Sequence, residues 1–429
     1  MNTRDPTATV RWAAFAAILL VSVALTVSAA RYAVADQWAQ SSNPALWLRA
    51  AKLEPANAEN WYRLGRYRQF DFENGDLPLA ISYYERATAV DPGSSPYWMD
   101  LGSAYEMTGN VAGADLAFRN AQKQYPVSAQ ADWAYGNFLL RHGRTQDAFR
   151  QIYRAISADP RLTAVAISSC WRSTHDIDQI LKLALPANPE AYWGAIDFFV
   201  STAEPDAAMA VWKNLAATGA TFPASRTFRL LDLLISLRRP DDARMIWQQT
   251  LSLAHIAPDY GPNGSVVWNG GFEQDLLNGG FAWQYSAISG AEMDIDAETF
   301  HSGKRSLRIV FDGTLNVDFA NVWQYVSVEP NSRYRFRAYL QTQAITTDSG
   351  LRFEISDVYQ GGGASTPNVI EMQDWTPEEV EISTGPETRL LKIVLRRTPS
   401  NKFGNKIKGI AWVDDVSLVA LPASSSAPR

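Results

Sequence analysis

One cysteine, Cys170, stands in 429 residues, which excludes an internal disulfide and a thiolate metal cage. Only four histidines occur, His142, His175, His255 and His301, far apart and without metal-ligand spacing. Positive charge is also short: 39 Lys and Arg against 45 Asp and Glu leave a net charge of −6. With no domain-wide basic excess to neutralise phosphates, nucleic acid is not a partner. Catalytic signatures are missing too: there is no Ser/His/Asp order, no glycine-rich phosphate loop and no His-rich metal motif. His175-Asp176-Ile177-Asp178 sits without partners in a helical stretch. Asp294 and Asp296 share one face of a strand with no identifiable acid opposite. A glycosidase needs an acid and a base or nucleophile across a cleft, so the chain reads as not an enzyme.

What is present begins with an uncharged apolar run from Trp12 to Ala30, behind Arg4 and Arg11. That length suffices to cross a hydrocarbon core as a helix, and the preceding positive charges favour a cytoplasmic N-terminus. Residues 1–35 are then a cytoplasmic tip and membrane anchor, held in the membrane through residues 12–30. The competing reading is a signal peptide cleaved near Ala33-Val34-Ala35, giving a secreted chain. Both put the bulk of the protein outside the cytoplasm, and the remaining length suggests two or three domains.

A period follows. Pro92, Pro126 and Pro160 are spaced by 34 residues, each preceded at fixed distances by Ala87, Ala121 and Ala155, by Ala80, Ala114 and Ala148, and by Gly75, Gly109 and Gly143. Trp98, Leu101, Gly102, Tyr105 and Phe118 complete the middle unit, and Trp61, Leu64 and Gly65 begin the first. This pattern resembles the tetratricopeptide repeat. Small residues let paired helices approach, aromatics fill the space between pairs, and proline ends the second helix. An α-solenoid is expected over 42–255, clear at about 58–160 and degenerate afterwards. Pro205-Asp206 and Pro240-Asp241 look like helix starts in the degenerate part. The aromatics here are read as core, and the concave surface as a seat for a protein partner.

A turn-rich linker at 256–264 precedes a switch to period two. Tyr334, Phe336, Ala338 and Leu340 alternate with Arg333, Arg335, Arg337 and Tyr339. Leu351, Phe353 and Ile355 alternate with Arg352, Glu354 and Ser356, and Leu391, Ile393 and Leu395 with Lys392, Val394 and Arg396. One-faced strands between turn residues indicate an antiparallel sandwich. The fold class is therefore α plus β multidomain: membrane helix, helical repeats, then a β-sandwich over 265–421 and a disordered tail at 422–429.

The order Asn269-Gly270-Gly271-Phe272-Glu273, Gly280, Trp283, His301-Ser302-Gly303-Lys304, Gln324-Tyr325-Val326 and Trp412-Val413-Asp414-Asp415-Val416 resembles family 4/9 type carbohydrate-binding modules, with their galactose-binding-like jelly roll. That resemblance implies polysaccharide binding and a structural calcium held by Glu273 with Asp414 or Asp415, carbonyls of 301–304 adding oxygens. The alternative is that these acids bond turn amides. Strand parity turns Trp323, Tyr325, Arg335, Arg337 and Tyr339 outward as ligand contacts, with loop residues Trp283, Tyr285, Tyr359 and Trp375 behind them. The stretch Ala50–Pro92 resembles repeats attached to O-antigen-ligase-like polymerases. Together these imply a non-enzymatic scaffold of bacterial exopolysaccharide or envelope-glycan assembly, in the inner membrane with its bulk in the periplasm. The alternative is a pure protein–protein scaffold whose sandwich does not bind sugar.

Overall fold

A computed structural model describes residues 6–73 and 75–422. Arg4, the rest of the first five residues and tail residues 423–429 lie outside them. Two compact units result, Met1–Phe198 and Phe199–Arg429.

In the first unit, α1 (Pro6–Ala39) carries the apolar run. It is the one described helix long and apolar enough to cross a membrane, a test that a signal sequence also meets. The helices α2 (Pro44–Leu53), α3 (Ala58–Phe70), α4 (Leu77–Val90), α5 (Ser95–Met107), α6 (Val111–Gln124), α7 (Ala129–Arg141), α8 (Thr145–Ala158), α9 (Thr163–Thr174) and α10 (Ile177–Leu183) follow, with α11 (Pro189–Ser201) after them. Each repeat is built by local chemistry. Asp76 and Asn110 cap α4 and α6 by accepting from the amides of Leu79 and Gly113, satisfying donors a helix start leaves open. Gly109 and Gly143 take φ of +77° and +72° in the turns between paired helices, a region other residues avoid. The indoles of Trp61 and Trp98 donate to the carbonyls of Pro55 and Pro92, at 3.0 and 2.9 Å, so tryptophan locks the preceding turn as well as filling the core.

The small residues do what the period predicts. A Cβ on Gly65 would lie 2.6 Å from the Tyr84 ring, and Tyr84 is fully buried with its hydroxyl donating to Gln69. Gly65→Ala is therefore expected to cost the first unit about 1–3 kcal/mol, the usual penalty of overpacking. A lowered urea midpoint at unchanged slope checks it.

The second unit opens with α12 (Pro205–Ala217), α13 (Phe228–Ser236) and α14 (Pro240–Leu253); both Pro-Asp pairs start helices as expected. Ten strands follow: β1 (Gln284–Tyr285), β2 (Ala291–Asp296), β3 (Ser306–Asp312), β4 (Phe319–Ser327), β5 (Arg333–Ile345), β6 (Arg352–Asp357), β7 (Gly363–Ser365), β8 (Glu371–Ser383), β9 (Leu390–Arg397) and β10 (Lys408–Ala420). They form two five-stranded sheets, ordered β1-β4-β9-β6-β7 and β2-β3-β10-β5-β8, with antiparallel pairings. Phe272, Trp283, Phe336, Phe353 and Ile393 are among the side chains that fill the space between them.

Residues 256–264 mark the change from helix to strand, but they do not separate two bodies. The rings of Phe228 and Trp247 press against Gly279 and Gly280 so closely that Cβ atoms there would fall 2.1 and 3.1 Å from them. Trp247 also meets Trp268 edge-on at 5.8 Å. Tyr359 donates to the Ile235 carbonyl at 2.9 Å, and Arg244 pairs with Glu329 at 3.3 Å. The expected linker thus runs inside one unit, because apolar side chains of α13 and α14 have the sandwich as their partner.

Candidate functional site

Strand β4 alternates as parity predicts: Val322, Gln324 and Val326 are buried while Trp323 and Tyr325 lie half-buried on the outer side. Register across the sheet sets Trp323 beside Val394 and then Glu354, and Tyr325 beside Lys392 and then Ser356. The Lys392 amine sits 4.9 Å from the Trp323 ring and 5.9 Å from that of Tyr325, and burial lowers its pKa. At one end of this floor stands a charged border in which Glu354 pairs with Arg352 and Arg396, and Arg396 with Asp318. At the other end α13 rises as a wall. Arg238 lies 5.6 Å over the Tyr359 ring. Burial, and then the charge of Asp232, push the Tyr325 phenol up, and burial raises Tyr359 to about 12. Both phenols therefore stay neutral donors. A floor of rings inside a rim of charged groups can stack the CH faces of sugars and bond their hydroxyls.

The remaining expected contacts do not join this floor. Trp283 is only 1% exposed and stacks on Phe272 in the core, so it is a packing residue and not a loop contact. Tyr285 stands 40% exposed at the sheet edge. Trp375 is on strand β8, not in a loop. Arg335, Arg337, Tyr339 and Trp375 belong to the other sheet, so the single site expected from these residues together with Trp323 and Tyr325 is split between opposite faces of the sandwich. There Arg335 pairs with Glu381 and Arg337 with Glu379, while Tyr339 stacks on His301 at 3.6 Å with Trp375 edge-on to the same histidine. Parity shows that residues point outward, but not from which sheet.

Glu273, Asp414 and Asp415 do converge, on the loop 301–305. Glu273 accepts from the amides of Lys304 and Arg305 at 2.6 and 3.2 Å. Asp414 is fully buried and accepts from the amides of His301 and Ser302 at 2.8 and 3.1 Å, and from Asp415 at 2.7 Å. Asp415 bonds the His301 ring and the Ser302 hydroxyl. The calcium that the resemblance implies would draw on these same carboxylates, which here accept hydrogen bonds from the amides of 301, 302, 304 and 305. The loop turns amides, not carbonyls, toward the acids, and no group of three or more His, Cys, Asp or Glu among the described residues is placed to hold a metal. The carboxylates staple the loop by hydrogen bonds. Melting in a chelator is accordingly expected to match melting without it, and a fall in melting temperature would turn these acids toward a cation.

Several residues of the floor and wall went unnoticed in the sequence. Lys392 and Glu354 sit at outward parity in strands already recognised, so the signal was there. Asp232 and Arg238 carried none, because nothing in a helical pattern says which strand it packs beside.

Residues 71–116 and 114–162 match the tetratricopeptide-repeat family model. No curated protein matches the chain. Among solved structures, the crystal structure of MamA is similar over 40% of this chain and 84% of that one, at 19% identity and a TM-score of 0.27. The CBM22-1 xylan-binding domain from Paenibacillus barcinonensis Xyn10C covers 33% of this chain and 87% of its own, at 20% identity and a TM-score of 0.24. A family 16 carbohydrate-binding module-2 covers 36% and 99%, at 16% identity and a TM-score of 0.26.

Proposed function

We propose that this chain, which carries tetratricopeptide repeats ahead of a β-sandwich resembling carbohydrate-binding modules, is a membrane-held, non-enzymatic scaffold that binds a polysaccharide. Its repeats hold a protein partner on their concave side, and the setting is assembly of a bacterial exopolysaccharide or another envelope glycan. The observation that carries the glycan reading is the pair of outward rings on β4, with one lysine amine over both and a charged rim around them. Such a floor tolerates many sugars and binds weakly, so affinity in the micromolar-to-millimolar range is expected, about −4 to −8 kcal/mol.

The helix α1 supports a retained anchor with the bulk in the periplasm. The small-residue stretch Ala33-Val34-Ala35 lies inside α1, Ala35 is fully buried, and Arg31 donates to the Leu53 carbonyl at 2.9 Å. Arg63 reaches back to the Ala39 carbonyl. Cleavage there would cut a helix whose far end is tied to α2 and α3.

Affinity electrophoresis of the full-length protein in detergent, through gels containing bacterial and plant-type polysaccharides, tests the reading. Retardation by at least one of them is expected. Migration indifferent to every gel would leave a protein–protein scaffold.

A further inference from the structure

We propose that the ring floor selects acidic glycans, with Lys392 binding a carboxylate carried by the chain, as on a uronic-acid residue. This rests on the glycan reading above and names its substrate class. Lys392 is half-buried on β9, the central strand of its sheet. Its register partners are Tyr325 on one side and Ser356 on the other. The amine lies 4.9 Å from the Trp323 ring and 5.9 Å from the Tyr325 ring. A sugar that stacks on those rings brings its substituents beside that amine.

The neighbouring charges leave this cation free. At the border, the carboxylates of Glu354 and Asp318 are taken by Arg352 and Arg396. Among the described residues those are the ion pairs of this floor, and Lys392 belongs to none of them. Asp357 accepts from the amides of Tyr359 and Gln360 and from the Thr388 hydroxyl. Asp232 of the wall acts on the Tyr325 phenol, and burial raises its own pKa.

A half-buried ammonium has lost part of its water, which here lowers its pKa. Two ring faces return only part of that loss. A ligand carboxylate returns more, through a charge-assisted hydrogen bond in a partly dry site. A neutral hydroxyl in the same place is a weaker acceptor. The whole chain carries a net charge of −6, so diffuse electrostatics repel polyanions and a preference for them has to come from the site.

The test runs full-length protein in detergent over matched columns: polygalacturonate, alginate and glucuronoxylan, each against its carboxyl-reduced form, in which the carboxylates have become hydroxymethyl groups. Retention on at least one acidic column about tenfold above its partner is expected, the scale of one charge-assisted hydrogen bond. Lys392→Met keeps the apolar stem and should bring both members of that pair to equal retention; Lys392→Gln serves if the first variant does not fold. An acidic preference that survives loss of the lysine would put the anion contact elsewhere and overturn the assignment. Equal retention on both members of every pair, still abolished by Trp323→Ala, would overturn the acidic selectivity and leave the glycan floor standing. No retention on any column would remove the glycan reading and the selectivity with it.

Discussion

Trp323→Ala is expected to remove retardation by polysaccharide while the second unit melts within a few degrees of the wild type. The ring is half-buried on the outer side of β4, and the contacts it loses within the protein include the Lys392 amine at 4.9 Å. A cation–π contact at an exposed site contributes about 0.5–1 kcal/mol, or a few degrees in a unit of this size. Against a ligand the same ring is the central anchor, and such tryptophans cost about 2 kcal/mol or more on truncation. That is about thirtyfold in affinity, enough to take weak binding below detection. Two controls fix the interpretation. Trp283→Ala, in the core, should cost about 3–5 kcal/mol and disturb the fold. Tyr339→Ala, on the other sheet, should leave retardation unchanged; if it abolishes binding instead, the site is on the His301 face and the assignment of the floor is wrong.

The two faces of the sandwich differ in how far neighbouring residues alone determine them. Inward parity on β9 holds through Leu391, Ile393, Leu395 and on to Arg397, which is fully buried. A guanidinium in that row looks like a strand end in sequence. In the fold its donors reach the carbonyls of Val317, Ser349 and Asn405 and the side chains of Asn316 and Thr347. Local rules thus found the strands, the helix starts and the outward rings, because periodicity and caps act over a few residues. They missed the assignment of strands to sheets and the docking of α13 beside β6. Those depend on partners far away in the chain, such as Tyr359 and Ile235, whose contact spans 124 residues. The opening and closing motifs were legible as a set for a physical reason that only the fold displays. The Val416 carbonyl passes 1.9 Å from where a Gly270 Cβ would stand, and the Val416 amide donates to the Gly270 carbonyl at 2.9 Å, so the two segments interlock.

Asp414 is the residue of that interlock whose loss should be felt most. Its carboxylate is the acceptor for three backbone amides, those of His301, Ser302 and Asp415, at a register break in β10 between Asp414 and Ser417. Asp414→Ala leaves those donors without it, and unsatisfied buried groups cost about 1–3 kcal/mol each. A loss of about 3 kcal/mol or more is expected, which lowers the melting temperature of the second unit by about 6–12 °C. Asp414→Asn should fall between, because its amide can accept on one side only. The pH dependence separates charge from geometry. Burial is the main cause pushing this carboxyl up to about 6, with Asp415 adding repulsion against the three amide bonds that favour ionisation. The folded state then binds the proton more tightly than the unfolded chain does. The contribution is fully present below the ordinary aspartate value and is lost as pH rises through about 6. The stability gap between wild type and Asp414→Asn should therefore be widest near pH 4 and narrow toward pH 7, measured by thermal melts across that range. A gap that widens with pH would mean that the amides outweigh burial and hold Asp414 ionised throughout.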